Sequence, residues 1–191
     1  MTAFTVNLDP VITLTDEQFY QLCRNNPDLK FERTAVGELI IMALTGGETG
    51  NRNGRVNQQL FNWSDRNELG IAFDSSTGFK LPNGADRSPD AAWLPLEKWQ
   101  ALTPTQREQF VPLCPDFVVE IMSPSDSLTK AQEKMAEYIA NGARLGFLID
   151  RKTRTVEIYR PNQPVERLEN PATVSGEDIL PRFNLQLARV W

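Results

Sequence analysis

The sequence predicts one α/β (α+β) domain in which helices flank a mixed β-sheet. Its 191 residues suit one domain better than two, because most domains contain about 100–200 residues. Two apolar runs, 117–122 and 145–149, enclose an amphipathic stretch, and this strand–helix–strand order is typical of a parallel crossover. Hairpin patterns elsewhere predict antiparallel strands, so the sheet is expected to be mixed. We assign the whole chain, 1–191, to this domain, with a peripheral N-terminal helix and a peripheral C-terminal tail.

Short elements separated by turn-forming residues fill the first part of the chain. Thr15 is a suitable N-cap for a helix that ends before Pro27. The glycine-rich stretch TGGETGNRNG lacks the Gly-Lys-Ser/Thr ending of a phosphate-binding loop, so we expect a flexible loop that leads into an amphipathic helix. Strands are predicted at 29–34, 37–44, 71–73, 78–81 and 90–94, and short helical fragments around LEKWQAL and PTQREQF.

The second part of the chain is expected to form the centre of the sheet. The predicted elements are strands at 117–122, 145–149 and 155–159, a helix at 127–141, and one short strand near 185–187. Gly142 is a suitable residue to end the helix. From Pro161 on, we expect a mostly irregular tail.

The composition limits the chemistry that the protein can perform. The chain has no histidine, which excludes a serine–histidine–aspartate triad, a histidine-ligated zinc site and an imidazole base. Any reaction must therefore use carboxylates, lysine, hydroxyls, thiols or backbone groups, and carboxylates favour Mg²⁺ or Mn²⁺. The net charge of −5 argues against a protein that coats nucleic acid non-specifically, but it is compatible with a nuclease that has an acidic metal site.

The sequence predicts a cytoplasmic protein that does not enter a membrane. No apolar run approaches the roughly 18 residues of a membrane span. The N-terminal MTAFTVNLDP lacks the basic start and apolar block of a secretory signal. Cys23 lies in a helical pattern and Cys114 precedes a strand, so we expect both thiols to be reduced and packed.

A carboxylate stands inside the apolar strand FVVEIM. Because side chains alternate along a strand, Glu120 shares its face with Val118 and Met122. An ionised carboxylate on such a face is strongly disfavoured unless it is paired or metal-bound, so we expect a positive charge against it. A buried ion pair with an arginine and a metal site both satisfy this requirement.

A second carboxylate favours the metal site. Asp90 opens a predicted strand, and two acids presented by adjacent strands are a common way to hold a divalent ion. Ser-Pro-Asp also frequently begins a turn without any further role. Glu38, at another strand start, is a further candidate acid, for which a solvated surface position is the simpler interpretation.

The helix after the glutamate supplies a candidate lysine. Its spacing predicts a buried face around Met135 and Tyr138. At 100° per residue, Lys134 lies at the boundary of this face, about 90° from its centre, whereas Lys130 lies about 130° away. Lys134 is therefore able to direct its ammonium towards Glu120, although the helix pattern alone favours a lysine that reaches out to solvent.

The ordered motifs resemble those of the restriction endonuclease family that was formerly classified as a domain of unknown function and belongs to the PD-(D/E)XK nuclease superfamily. They are SPD at 88–90, PDFVVEIMSPSD at 115–126, Lys134-xxx-Tyr138, NGAR before LGFLID, and VEIYRP, and the resemblance extends over about 31–183. It implies a restriction-endonuclease-like fold and Mg²⁺ (or Mn²⁺) bound by Asp90 and Glu120. It also implies catalysis by Asp90, Glu120 and a lysine. The usual lysine position is occupied by Met122, so the resemblance leaves Lys134 to supply that group from the following helix.

We therefore expect a metal-dependent endonuclease that acts on DNA, with a homodimer suited to cutting both strands. The alternative is a nuclease-fold module that binds nucleic acid without catalysis, and Met122 and the acidic net charge favour it. Hydrolysis by an acid pair, as in glycosidases, lacks an aromatic sugar platform here. Basic residues that could contact phosphates are Arg144, Arg151, Lys152, Arg154 and Arg160, although basic hairpin tips are also common on solvated surfaces.

Overall fold

The computed structural model describes residues 3–191. The helices within this range are α1 (Asp16–Asn25), α2 (Gly47–Asn67), α3 (Leu96–Gln100), α4 (Pro104–Glu108) and α5 (Leu128–Ala140). The strands are β1 (Ala3–Val6), β2 (Lys30–Arg33), β3 (Leu39–Met42), β4 (Gly70–Asp74), β5 (Phe79–Lys80), β6 (Asp86–Arg87), β7 (Ala91–Pro95), β8 (Phe117–Ile121), β9 (Leu145–Asp150), β10 (Thr155–Tyr159), β11 (Glu166–Glu169), β12 (Thr173–Ser175) and β13 (Asn184–Gln186). None of these helices is long and apolar enough to cross a membrane.

A six-stranded sheet forms the centre of the fold, in the order β11-β10-β9-β8-β7-β4. β8 and β9 are parallel, with Glu120 paired with Leu148, and α5 connects the two strands. The other neighbouring pairs of this sheet are antiparallel. The predicted parallel crossover and the mixed sheet are therefore confirmed.

The two faces of β8 contact different layers of the structure. Phe117 and Val119 belong to a buried apolar cluster that includes residues of α2 and of the C-terminal tail. Val118 and Met122 belong to a second cluster that includes residues of α5. Glu120 shares the second face, because side chains alternate along a strand. The alternation thus directs its carboxylate towards α5.

The C-terminal tail is more ordered and more buried than the sequence predicts. It contributes β11, β12 and β13, where the sequence pattern indicates a single strand. Leu180 and Leu185 are fully buried, and Phe183 packs against Trp63 of α2 with ring centroids 5.8 Å apart. The expectation of a peripheral tail is therefore wrong. Short strands with only one or two apolar residues give too little alternation to be recognised.

The N-terminal helix begins as its sequence predicts. Thr15 accepts a hydrogen bond from the backbone N–H of Gln18, whose side chain accepts one from the backbone N–H of Thr15. This capping box satisfies two helix-end donors. Phe19 of this helix is buried, with 1% of its surface exposed, and anchors the helix to the rest of the domain. The guanidinium of Arg33 lies 4.9 Å from the centroid of the Phe19 ring.

A second sheet of five antiparallel strands has the order β1-β3-β2-β6-β5. The predicted hairpin β2–β3 belongs to it, with Glu32 opposite Ile40. The sequence predicts one mixed sheet and does not indicate this additional sheet, because β5 and β6 are only two residues long. Alternation sets Lys30 and Glu32 on one face of β2, whereas Arg33 points to the other face and pairs with Asp86.

The glycine-rich stretch is helical from Gly47 onward, which corrects the expectation of a flexible loop. α2 buries Val56 and Leu60 against the central sheet, at 1% and 0% exposure. Because helix formation is cooperative, this packing extends the helix upstream through residues of low propensity. An ion pair of 2.6 Å between Glu48 and Arg52, one turn apart, supports the first turns.

α5 approaches the central sheet closely because a glycine faces it. A Cβ atom at Gly146 of β9 would lie 2.5 Å from Cε of Met135 and 3.3 Å from Cγ2 of Val118. At the end of the helix, Gly142 adopts a φ of 111°, which other residues rarely adopt. These two glycines determine how far α5 stands from the sheet and where it ends.

Replacement of Gly146 by alanine tests this close approach. Both Met135, which is fully buried, and Val118 would have to shift to admit the added methyl, so we expect Gly146→Ala to lower the free energy of unfolding by about 1–3 kcal/mol. Gly54→Ala in α2 is the matched control, since a Cβ atom there meets no atom within 4 Å. The control should stabilise the protein by roughly 0.5–1 kcal/mol, as alanine does in helices. Urea titration measures both; equal stability of the two variants would contradict the packing described.

Candidate active site

Two carboxylates face each other across neighbouring strands at one end of the central sheet. Ala91 of β7 pairs with Val119 of β8. One further step in this antiparallel register sets Asp90 opposite Glu120. Residues in such cross-strand positions have Cβ atoms roughly 4.5–5.5 Å apart. The structure thus brings together the two acids that the sequence predicts as a pair.

The ammonium of Lys134 lies between two carboxylates. It is 2.8 Å from Oε1 of Glu120 and 2.9 Å from Oε1 of Glu32. The side chains of Lys134 and Glu120 are 18% and 16% exposed, and that of Glu32 is 3% exposed. The charge expected against Glu120 therefore comes from a lysine of α5 rather than from an arginine. The catalytic role of this lysine stays a prediction.

Glu120 is held by two residues of α5 one turn apart. Tyr138 donates a hydrogen bond of 3.0 Å to the same oxygen, Oε1, that Lys134 contacts. The other oxygen, Oε2, has no hydrogen-bond partner within residues 3–191. Met122, at the position where the superfamily pattern has lysine, is 9% exposed and packs in the apolar cluster under α5. The Lys134-xxx-Tyr138 spacing thus orients one oxygen of Glu120 and leaves the other available.

Asp90 accepts one hydrogen bond on each of its carboxylate oxygens. Asn53 of α2 donates to Oδ1 and the backbone N–H of Ile121 donates to Oδ2, both at 2.8 Å. Asn57, 8% exposed, donates to the main-chain carbonyl of Asp90 at 2.8 Å. α2 and β8 therefore fix the orientation of this carboxylate. The sequence does not predict a role for Asn53 and Asn57, because α2 comes to lie beside Asp90 only in the folded protein.

Glu32 is the third acid of the site, and sequence reasoning misses it. Besides Lys134, it contacts Arg87 at 3.2 Å and accepts a hydrogen bond of 3.0 Å from the backbone N–H of Ser88. Arg87 also pairs with Glu137 of α5 at 2.6 Å. The sequence pattern that could have indicated Glu32 is the alternation along KFER, because it places Lys30 and Glu32 on the same face of β2.

Burial and local charge separate the pKa values of the three acids. Burial raises the pKa of Glu120 to about 7; Lys134 opposes this rise, whereas Asp90 and Glu32 reinforce it. Burial also raises the pKa of Asp90, against the influence of Lys30. Burial acts in the same direction on Glu32, but its basic neighbours, led by Lys134, lower its pKa to about 2. Asp90 and Glu120 are thus incompletely neutralised, whereas Glu32 is fully paired.

These side chains line a cleft of about 1050 Å³. Its lining includes residues of β2, β3 and α5 as well as Glu120. Eight acidic residues and four basic residues line the cleft. The cleft is therefore negatively charged unless it holds a cation. Glu38 lines the same cleft, where its backbone N–H donates to the hydroxyl of Thr34 at 3.0 Å, and no contact joins it to Asp90 or Glu120 among the described residues.

The basic residues considered as phosphate contacts do not form one group. Arg160 is engaged by two glutamates, at 2.5 and 2.7 Å. Arg144 precedes β9, whereas Arg151, Lys152 and Arg154 lie in the turn that follows this strand. Because β9 is parallel to β8, this turn lies at the end of the sheet towards which Glu120 stands. Only these last three cations are near the end of the sheet that carries the acids.

The carboxylates of the site could supply some, but not all, of the ligands of a hard divalent cation. Within residues 3–191, no group of three or more aspartate, glutamate, cysteine or histidine side chains is arranged to hold a metal ion. Asp90 and Glu120 provide two carboxylates. Mg²⁺ commonly uses one or two carboxylates and completes its shell with water and substrate phosphate, so two acids suffice. Their raised pKa values indicate that a cation would be favourable between them.

The fold is that of restriction-endonuclease-like nucleases. A crystal structure described as a putative nuclease belonging to DUF820 from Anabaena variabilis is similar with a TM-score of 0.76 and 20% sequence identity, over 93% of this chain and 97% of that one. At this identity the likeness establishes the fold and not the activity. A cryo-electron microscopy structure of a DrdV–DNA complex has a TM-score of 0.37 and 14% identity, over 64% of this chain and 12% of that one. A likeness this weak adds nothing to the assignment.

The sequence also matches a family model over residues 16–188. That model is the Uma2 family, described as "Putative restriction endonuclease". Because the match covers most of the chain, the protein belongs to this family, as its ordered motifs predict. A comparison with curated proteins gives no match.

The raised pKa of Glu120 predicts how stability depends on pH in the absence of metal. The pKa is about 7 in the folded protein, against 4.5 for an ordinary glutamate, so the folded state binds this proton more tightly than the unfolded chain. The contribution of Glu120 therefore makes the protein less stable as pH rises from 4.5 to about 7, by up to roughly 3 kcal/mol. Glu32 has the opposite sign: its stabilisation is lost as pH falls from 4.5 towards about 2.

Urea unfolding in EDTA at pH 5 and pH 8 measures this effect, with Glu120→Gln as the test. We expect the variant to lose less stability between the two pH values than the wild type does. Glu133→Gln, which removes an exposed acid from the same cleft, is the control and should keep the wild-type pH dependence. An unchanged pH dependence in Glu120→Gln would show that Glu120 is not a destabilised acid.

Proposed function

We propose that this protein is a metal-dependent endonuclease that hydrolyses phosphodiester bonds of DNA. One observation carries the proposal: Asp90, Glu120 and Lys134 converge in one cleft, with the ammonium 2.8 Å from the Glu120 carboxylate. Membership of the restriction endonuclease family supports nuclease chemistry at this site. The absence of histidine agrees with it, since this chemistry needs only carboxylates, a lysine and a metal ion.

Mg²⁺ or Mn²⁺ is the cofactor that suits the site. Acidic residues outnumber basic ones twofold along the cleft, so a polyanionic substrate would be repelled without a cation there. Oxygen ligands favour these hard ions over zinc or copper. When bound, the ion would polarise a phosphoryl oxygen and lower the pKa of its bound water.

The residues of the site divide the remaining tasks. Asp90 and Glu120 would hold the cation with carboxylate oxygens, aided by the main-chain carbonyl of Ile121. Asn53 and Tyr138 keep the two carboxylates in place through the hydrogen bonds described above. Lys134 positions the attacking water and opposes the negative charge that develops on the phosphorus oxygens in the transition state. The reaction cleaves one P–O bond and adds water across it.

DNA is the proposed substrate, and a homodimer the proposed assembly. Basic side chains in the turn after β9, Arg151, Lys152 and Arg154, stand at the end of the sheet where the acids lie and could contact the phosphate backbone. Two copies related by two-fold symmetry would address both strands of a duplex. Size-exclusion chromatography with light scattering tests the assembly.

The alternative is a nuclease-fold module that binds nucleic acid without cutting it. Met122 in place of the usual lysine favours this alternative, and so does the engagement of Lys134 by two carboxylates. Retention of both acids with raised pKa values favours the enzyme, because a module without a metal gains nothing from two repelling carboxylates.

Plasmid nicking with Mg²⁺ or Mn²⁺ distinguishes the two. We expect the wild type to nick supercoiled DNA only with a divalent ion, and Asp90→Asn, Glu120→Gln and Lys134→Met to lose at least about 100-fold in rate. Glu133→Gln, which removes an exposed carboxylate next to Lys134, should retain full activity. Nicking by Glu120→Gln at the wild-type rate, or nicking in EDTA, would assign the activity to another site or a contaminant. A wild type that binds DNA but never cuts it would support the binding module.

A further inference from the structure

Two lysines reach the candidate active site, and their surroundings differ. Lys134 comes from α5 and Lys30 from β2, and both line the cleft that contains Asp90 and Glu120. Lysines in a nuclease site can either organise carboxylates or contact phosphate, and these tasks require different partners. The contacts of each ammonium therefore indicate which task it can perform.

Lys134 is committed to carboxylates. Its ammonium contacts Glu120 at 2.8 Å and Glu32 at 2.9 Å, so two of its three donors bind anions of the protein itself. These contacts join β8, β2 and α5. The two carboxylates offset much of its charge for binding a substrate phosphate in the ground state, while one donor remains for the attacking water.

Lys30 is far less engaged. Its ammonium donates one hydrogen bond of 3.2 Å, to the main-chain carbonyl of Ser88, and makes no ion pair within residues 3–191. Two donors remain available on the cleft side of β2. The side chain is partly buried, so its charge is less screened than that of a surface lysine. Ser88, whose carbonyl accepts this hydrogen bond, stands two residues before Asp90 in the chain, and both lysine and aspartate line the same cleft.

We propose that Lys30 binds a non-bridging oxygen of the substrate phosphate next to the metal site, while Lys134 organises Glu120 and Glu32 and keeps its remaining donor for the attacking water. This inference rests on the proposed nuclease function and adds a substrate-binding residue to it. Lys30 belongs to β2 of the second sheet, whereas Lys134 belongs to α5. The phosphate would thus contact both the cation held by Asp90 and Glu120 and the ammonium of Lys30.

The charges of the site agree with this arrangement. Asp90 and the residues joined by the contacts above comprise four acids (Glu32, Asp90, Glu120 and Glu137) and three bases (Lys30, Arg87 and Lys134). This group alone has one excess negative charge, which a divalent cation would convert into one excess positive charge; the other charged residues of the cleft, four acids and Lys130, lie outside it. A phosphodiester carries one negative charge, so the metal-loaded site is complementary to a single phosphate.

DNA binding without cleavage tests the proposal. Fluorescence anisotropy of a labelled duplex in Ca²⁺ would compare the wild type with Lys30→Gln, which retains a donor for the Ser88 carbonyl but loses the charge. We expect Kd to rise at least about tenfold, as for a lost charge-assisted hydrogen bond. The slope of log Kd against log salt should fall by about one. Lys30→Arg should restore most of the affinity.

Lys130→Gln is the matched control, because it removes an exposed lysine from the same cleft. Its Kd should stay close to that of the wild type. The Ca²⁺-induced rise in melting temperature should persist in Lys30→Gln, which separates phosphate binding from support of the metal site. Equal Kd values for Lys30→Gln and Lys130→Gln, or loss of the Ca²⁺ effect in Lys30→Gln, would overturn the inference while leaving the nuclease proposal intact. A wild type that binds no DNA in Ca²⁺ would overturn both.

Discussion

The structure of this site depends on one partly buried ammonium. Lys134 stands between Glu120 of the central sheet and Glu32 of the second sheet, at 2.8 and 2.9 Å. Removal of one partner from such a group leaves an uncompensated charge, so the three residues are energetically linked. The linkage also has a geometric consequence. It holds α5, β8 and β2 in one arrangement, and the cleft with both acids lies where these elements meet.

The basic residues neutralise the three acids of the site unevenly, and this uneven distribution of charge suggests a catalytic rather than a purely structural role. Glu32 forms ion pairs with Lys134 and Arg87 and accepts a hydrogen bond from a backbone N–H, and its pKa falls to about 2. Glu120 shares Lys134 with it, and its pKa rises to about 7. A site built only for stability would pair each acid fully. Here one acid receives most of the positive charge, and the other two have raised pKa values, which is common among residues of functional sites.

Local sequence patterns predicted the parts of the site that depend on local geometry. Alternation along FVVEIM set Glu120 on the α5 side of the strand, and the 3.6-residue spacing of the helix set Lys134 at its boundary. Glu32, Arg87 and Asn53 were not predictable, because they reach the site through contacts between residues 37 or more positions apart in the chain. The second sheet and the ordered tail were not predicted because their strands are too short to show the two-residue alternation of apolar and polar side chains.

The central claim is that Asp90 and Glu120 hold one divalent cation between them. Titration with Mn²⁺, followed by the loss of the free-ion electron paramagnetic resonance signal, measures this without any substrate. We expect one Mn²⁺ per chain in the wild type, loss of that site in both Asp90→Asn and Glu120→Gln, and its retention in Glu133→Gln. A wild type that binds no Mn²⁺, or a Glu120→Gln variant that binds it as tightly as the wild type, would contradict the account.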